Sequence, residues 1–103
     1  MSRQSKGGVK ERVVEKTKVK EPRLWKVIFL NDDITPMEFV TSVIKTIFDK
    51  SYKEAKSIML EIHHGEGRVV GIYPKSIAEA KKIQADAMSK WYNYPLTIKL
   101  ERE

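Results

Sequence analysis

Two short runs in this chain carry the residue types of chemistry. Asn31-Asp32-Asp33 sets an amide and two carboxylates in succession, and His63-His64 sets two imidazoles side by side. Such groups serve acid-base catalysis and metal ligation, and an amide oxygen, a carboxylate and a neutral imidazole are equally the acceptors that an ammonium group needs. Spacing narrows the choice. Consecutive helical residues point about 100° apart, so His63 and His64 do not share a metal as residues four apart do. A hydrolase built on Asp33 and His63 has no obvious nucleophile to activate. The absence of cysteine excludes thiolate catalysis, zinc ribbons and a disulfide framework. The expectation is a protein without catalytic residues, metal or cofactor. Two readings of 31–33 stay open: a set of presented acceptors, or an Asx-type turn in which the side chains bond their own backbone.

The elements around these runs follow from pattern. Leu24-Trp25-Lys26-Val27-Ile28-Phe29-Leu30 is rich in β-branched and aromatic residues and reads as a largely buried strand. After the polar run, Thr35, Pro36 and Glu38 have the form of an N-cap, a first-turn proline and a capping-box partner. The stripe Phe39, Val40, Val43, Ile44, Ile47, Phe48 then repeats at the helical period. Ser51 with Glu54 opens a second helix on Ala55, Ile58, Met59 and Ile62, ending near His63-His64 before Gly65 and Gly67. Residues 68–73 read as a strand. Ser76 with Glu79 suggests a third capping box, for a helix on Ile77, Ala80, Ile83, Ala87 and Met88 that ends about Trp91. Leu96, Ile98 and Leu100 alternate with polar residues as a half-buried strand does. The order β-α-α-β-α-β predicts a single small α+β domain over 23–103, a three-stranded antiparallel sheet with helices packed on one face. If the first two helices pack antiparallel, Met37 beside the polar run makes a shallow apolar cup, rimmed by Asn31, Asp32, Asp33 and His63.

The chain has 103 residues, 41% hydrophobic and 33% charged, with a net charge of +6. That is one domain's length and a globular composition. Residues 1–22 hold seven basic and three acidic residues, a net of +4, leaving thirteen against eleven, or +2, for the remainder. The first segment has no aromatic residue and few apolar ones, too little burial to offset the entropy of ordering, so it reads as a flexible basic N-terminal extension. A small nucleic-acid-binding domain is the rival reading of the charge, but it requires basic and aromatic residues interleaved on one exposed face. Trp25 and Phe29 lie instead in the strand pattern. No apolar run nears the ~20 residues of a membrane span, and no signal-peptide stretch opens the chain, so the expected location is the cytoplasm, with no membrane or nucleic-acid partner.

The run WKVIFLNDDITPMEFV (residues 25–40), followed by Met59, Ile62-His63 and Tyr94-Pro95-Leu96, resembles the ClpS adaptor family over about residues 24–101. The resemblance implies an adaptor of the bacterial N-end rule pathway. Such a protein binds substrates whose N-terminal residue is Leu, Phe, Tyr or Trp and delivers them to a Clp-type AAA+ unfoldase with its peptidase. By the same resemblance the substrate's α-amino group falls to Asn31, Asp33 and His63, with Asp32 adjacent. The side-chain pocket falls to Thr35, Met37, Val40, Met59, Ile62 and Leu96, with Met37 as the gatekeeper against β-branched Ile and Val. This chain carries Ile34 where relatives often have Tyr, and Ile62 where Val is common; the added methylene of Ile62 narrows the pocket floor against Trp. The unfoldase's N-terminal domain, ClpA-like or ClpC-like, would meet Lys75, Ser76 and Lys81, with Ser76 standing where some relatives are acidic. The extension serves handover rather than binding, and the adaptor is expected to be a monomer.

Overall fold

A computed structural model describes residues 23–103; the basic extension expected over 1–22 lies outside the described residues. The order is β1 (Leu24–Leu30), α1 (Met37–Ile47), α2 (Tyr52–His63), β2 (Gly67–Pro74), α3 (Lys75–Trp91) and β3 (Ile98–Arg102). The sheet is antiparallel with β1 in the middle, ordered β2-β1-β3. This is the α+β architecture that the patterning predicts.

Strand β1 is half buried rather than wholly so. Val27 and Phe29 are fully enclosed and Trp25 packs against the same core, whereas Leu24 on the opposite face is 40% exposed. Side chains alternate across a strand, and helices cover only one face of the sheet, so an apolar run in the middle strand still leaves every second side chain outside. The core is completed by Val40, Val43, Ile44, Ile47 and Phe48 from α1 and its end, by Ala55, Ile58, Met59 and Ile62 from α2, and by Val70, Leu96 and Ile98. Phe29 and Phe48 meet edge to face, 5.5 Å between ring centres. A β-bulge between Val27 and Ile28 breaks the β1–β2 register, which runs from Leu24 opposite Pro74 to Leu30 opposite Gly67. Gly67 is required there, since a Cβ would lie 2.6 Å from the Phe29 carbonyl oxygen.

The helix starts divide. At α2 both capping-box bonds form between Ser51 and Glu54. At α1 the N-cap is Pro36, which has no side chain to offer, and the Thr35 hydroxyl bonds elsewhere. At α3 the N-cap is Pro74, because β2 runs straight into the helix, so Ser76 falls inside the first turn and caps nothing.

The buried side of α3 also differs from the expected stripe. Ala78, Ala85 and Ser89 face the core and Met88 packs beside them, while Ile77 is 45% and Ile83 67% exposed. Small residues let the helix backbone approach the sheet closely, so close packing, rather than hydrophobicity, selects the inner face. The helix closes with Asn93 at φ 61°, and the Tyr94 amide donates to the Ser89 carbonyl, a left-handed cap of the kind asparagine tolerates.

Candidate functional site

The middle strand emerges between the ends of its neighbours, and that is where the polar run begins. The Leu30 amide donates to the Thr97 carbonyl and the Asn31 amide to the Glu66 carbonyl, both at 3.0 Å. Asn31 is therefore held on both sides at the lip of the sheet. Its side-chain NH2 donates to the carbonyls of His63 and Gly65, each at 3.3 Å, tying the lip to the end of α2. Both partners are carbonyl oxygens, which only accept, so the amide nitrogen must face them. The amide oxygen is left with no hydrogen-bond donor among the described residues.

The two aspartates have separate tasks. Asp32 Oδ1 accepts from the Ile34 and Thr35 amides at 2.8 and 2.6 Å, and its Oδ2 accepts from the Thr35 hydroxyl at 2.8 Å. It forms the Asx turn left open by the sequence, and Thr35 serves that turn rather than the helix. Partial burial raises the Asp32 pKa, but the hydrogen bonds from the Thr35 backbone, its hydroxyl and the Ile34 backbone outweigh it and hold the carboxyl below its ordinary value. Asp33 is exposed and accepts no hydrogen bond from the described residues.

Below this lip lies a small cup lined by Leu30, Asn31, Asp32, Thr35, Met37, Val40, Met59, Ile62, His63 and Leu96. The structure gathers nine sequence-singled residues here from the loop between β1 and α1, from α1 and α2, and from the segment before β3; Asp33 stands outside the lining, and Leu30 has no distinguishing signal beyond its strand. Val40, Met59, Ile62 and Leu96 are buried, whereas Met37, the first residue of α1, is 45% exposed. The free space in the cup is about 20 Å³, room for roughly one water. Met37 is the exposed apolar side chain of the lining, and its unbranched chain can change rotamer to enlarge the cup. The His63 ring stands at the rim, 5.2 Å from the ring of His64. His64 Nδ1 is 2.9 Å from the Leu60 carbonyl oxygen and must be the donor, so that imidazole is spent on capping α2.

Larger concavities exist, among them an open groove of about 680 Å³ between α2 and β2. It is crossed by the Arg68–Glu61 ion pair and lined largely by charged side chains, Lys50, Lys53, Glu54, Glu61 and Arg68, so it offers no apolar cup with a polar rim, and size does not select the site. Among the described residues no three of His, Asp or Glu converge as a metal would require, and no helix is long and apolar enough to cross a membrane.

Lys75 and Ser76 follow Pro74, which pairs with Leu24 at the other end of β1, about 20 Å from Asn31 at ~3.3 Å per strand residue, and Lys81 lies further along α3. They do not form one free patch. Lys81 Nζ donates to the Ile47 carbonyl at 2.7 Å and lies over the rings of Phe48 and Tyr73, while Lys75 Nζ lies over Trp25. Lys81 thus caps the C-terminus of α1, where a cation is favoured. Burial and the nearby Asp49 carboxylate both raise the Tyr73 pKa.

Known proteins resemble this chain in sequence and fold. The model of the family described as ATP-dependent Clp protease adaptor protein ClpS matches residues 20–99. The ATP-dependent Clp protease adapter protein ClpS of Campylobacter jejuni subsp. doylei is 41% identical over 95 residues, 92% of this chain and 99% of the relative. That of Deinococcus radiodurans is 42% identical over 90 residues, 87% of this chain and 80% of the relative. The structure of Agrobacterium tumefaciens ClpS2 bound to L-phenylalaninamide superimposes with a TM-score of 0.78 at 38% identity, covering 81% of this chain and 100% of that one.

Proposed function

The chain belongs to the ClpS family of ATP-dependent Clp protease adaptors, and from that premise we propose that its cup captures the free N-terminal residue of proteins destined for degradation. The substrate's first side chain, Leu, Phe, Tyr or Trp, enters the apolar floor, and its α-ammonium meets Asn31 and His63 at the rim, with Asp33 supplying charge directly or through water. The observation that carries the reading is Asn31. Its two N–H donors are engaged by backbone carbonyls, which leaves only an acceptor at the mouth of an apolar cup. L-Phenylalaninamide, the ligand of the Agrobacterium protein, has this chemistry: an α-ammonium next to a benzyl side chain.

The division of labour follows from magnitudes. Burying a Leu or Phe side chain stabilises a complex by about 1.5–3 kcal/mol, which alone gives millimolar affinity or weaker. Rim and floor must act together, so acetylation of the terminus, which removes the charge and two donors, abolishes capture. Met37 guards the mouth against side chains branched at Cβ. A Clp-type AAA+ unfoldase, ClpA-like or ClpC-like, receives the captured protein, and the protein itself catalyses nothing and works in the cytoplasm as a monomer. Residues 1–22 take part in handover.

The test is a fluorescence-anisotropy titration with a peptide beginning with Phe, its acetylated twin, and a single-stranded oligonucleotide. Capture of the free peptide alone is the expected result. Equal binding of the acetylated twin defeats the mechanism, and salt-sensitive binding of the oligonucleotide favours the nucleic-acid rival that the basic residues first suggested.

A further inference from the structure

The cup does not end at Met37. A second groove, about 480 Å³, continues between α1 and α2 from Met37 and Met59, which line both concavities, to Lys45 on α1 and Tyr52 and Lys56 on α2. Resting on the reading of the cup as an N-terminal-residue site, we propose that this groove receives the second to fourth residues of the captured chain and favours acidic side chains at the third and fourth.

Length, charge and continuity support the assignment. From Met37 to Lys45 the helix rises about 12 Å at 1.5 Å per residue, the reach of three to four residues of extended chain at roughly 3.3–3.6 Å each. A chain whose first side chain fills the cup and which crosses the Met37–Met59 wall therefore passes Lys56, about 4.5 Å from Met59 along α2, at about its second or third residue and Lys45 at about its fourth or fifth, so its third and fourth residues lie between the two lysines. The charges are ordered along the same path. Asp33 stands beside the cup, where the substrate's ammonium is bound, Glu38 lines the groove at its cup end, and the two lysines stand at the far end, one on each wall. Neither lysine has an ion-pair partner among the described residues. Lys45 in the last turn of α1 also complements the helix dipole, but Lys56 lies in the middle of α2, where that explanation fails. Tyr52, 59% exposed at the start of α2, supplies an apolar face between them on which an extended chain can lie.

The test compares three peptides that begin with Phe and carry Asp and Glu, Asn and Gln, or two Lys at the third and fourth positions, titrated against the full chain. The acidic peptide binds about threefold to tenfold more tightly than the neutral one, as exposed charge pairs allow, and the gap closes at about 0.5 M salt. Lys45→Glu with Lys56→Glu reverses the order of the acidic and the Lys peptides. Lys53→Glu with Lys90→Glu makes the same change in net charge elsewhere and leaves the order intact. Equal affinities for the three peptides, an order unchanged by the first variant, or an order reversed by the second each overturns the groove assignment while the neutral Phe peptide still binds. Failure of all three peptides to bind overturns the cup reading and this inference with it.

Discussion

Asn31→Ala separates the two jobs of one side chain. In the free protein it removes two neutral hydrogen bonds, both 3.3 Å long and exposed, worth about 0.5 kcal/mol each at that length, or about 1 kcal/mol together. For a domain of this size that lowers Tm by roughly 4–8 °C, leaving the protein folded at room temperature. In the complex the variant removes an acceptor facing an ammonium, a charge-assisted bond worth about 1.5–3 kcal/mol. At 1.4 kcal/mol per factor of ten, Kd rises roughly 10- to 150-fold. Because loosening the lip alone could weaken binding, the informative measurement is a double-perturbation cycle. Peptides beginning with Phe, free and acetylated, are titrated by anisotropy or calorimetry against both proteins. If Asn31 acts on the ammonium, acetylation costs the variant less than it costs the parent, with a coupling of about 1 kcal/mol or more. Additive losses would refute the reasoning by assigning Asn31 to the fold alone.

Met37→Ala opens the mouth of the cup, and peptides beginning with Ile or Val gain at least about tenfold in affinity; unchanged selectivity removes Met37 from the gate. Asp32→Ala breaks the three bonds of the Asx turn and destabilises the domain by about 1–2 kcal/mol, as loss of a helix cap does. Because the folded-state pKa of Asp32 is depressed, its contribution is complete above the ordinary aspartate pKa and is lost as pH falls through the folded value. Acid titrations followed by circular dichroism should therefore show a parent whose stability falls below about pH 4, and a variant that lacks this share of the fall; parallel curves contradict the assignment. Lys81→Ala removes the bond to the Ile47 carbonyl and the packing on Phe48 and Tyr73, with a loss of about 1–2 kcal/mol in urea unfolding. An unchanged midpoint with weakened unfoldase binding in a pull-down makes Lys81 a partner contact instead.

Local rules carried the reading far wherever a signal was complete within a few residues. The Ser51–Glu54 box, the α1 and α2 stripes and the alternation that runs into β3 are each legible because their partners are near in sequence or share one period. The same rules failed at α1 and α3, where a proline directly before the helix displaced the expected cap. They failed again on α3, where Ile77 and Ile83 fit the helical period but the sheet admits only Ala78, Ala85 and Ser89 at close range. The resemblance offers Lys81 as an unfoldase contact, while its bond to Ile47 and its packing on Phe48 and Tyr73 are not legible in the sequence, because nothing local marks those residues as its neighbours.

Local patterns set the order of elements, the apolar faces of α1 and α2, and the small set of residues from which a site can be drawn. Periodicity and turn chemistry are local, and they need no knowledge of what lies across the core. Folding assigns the work among three adjacent polar residues. Asp32 turns inward on its own backbone, Asp33 is left to solvent, and Asn31 reaches His63, 32 residues away, so that its oxygen alone remains to accept. Which atom of a side chain stays unengaged depends on every donor and acceptor that folding brings near it, and those contacts exist only when the chain is closed.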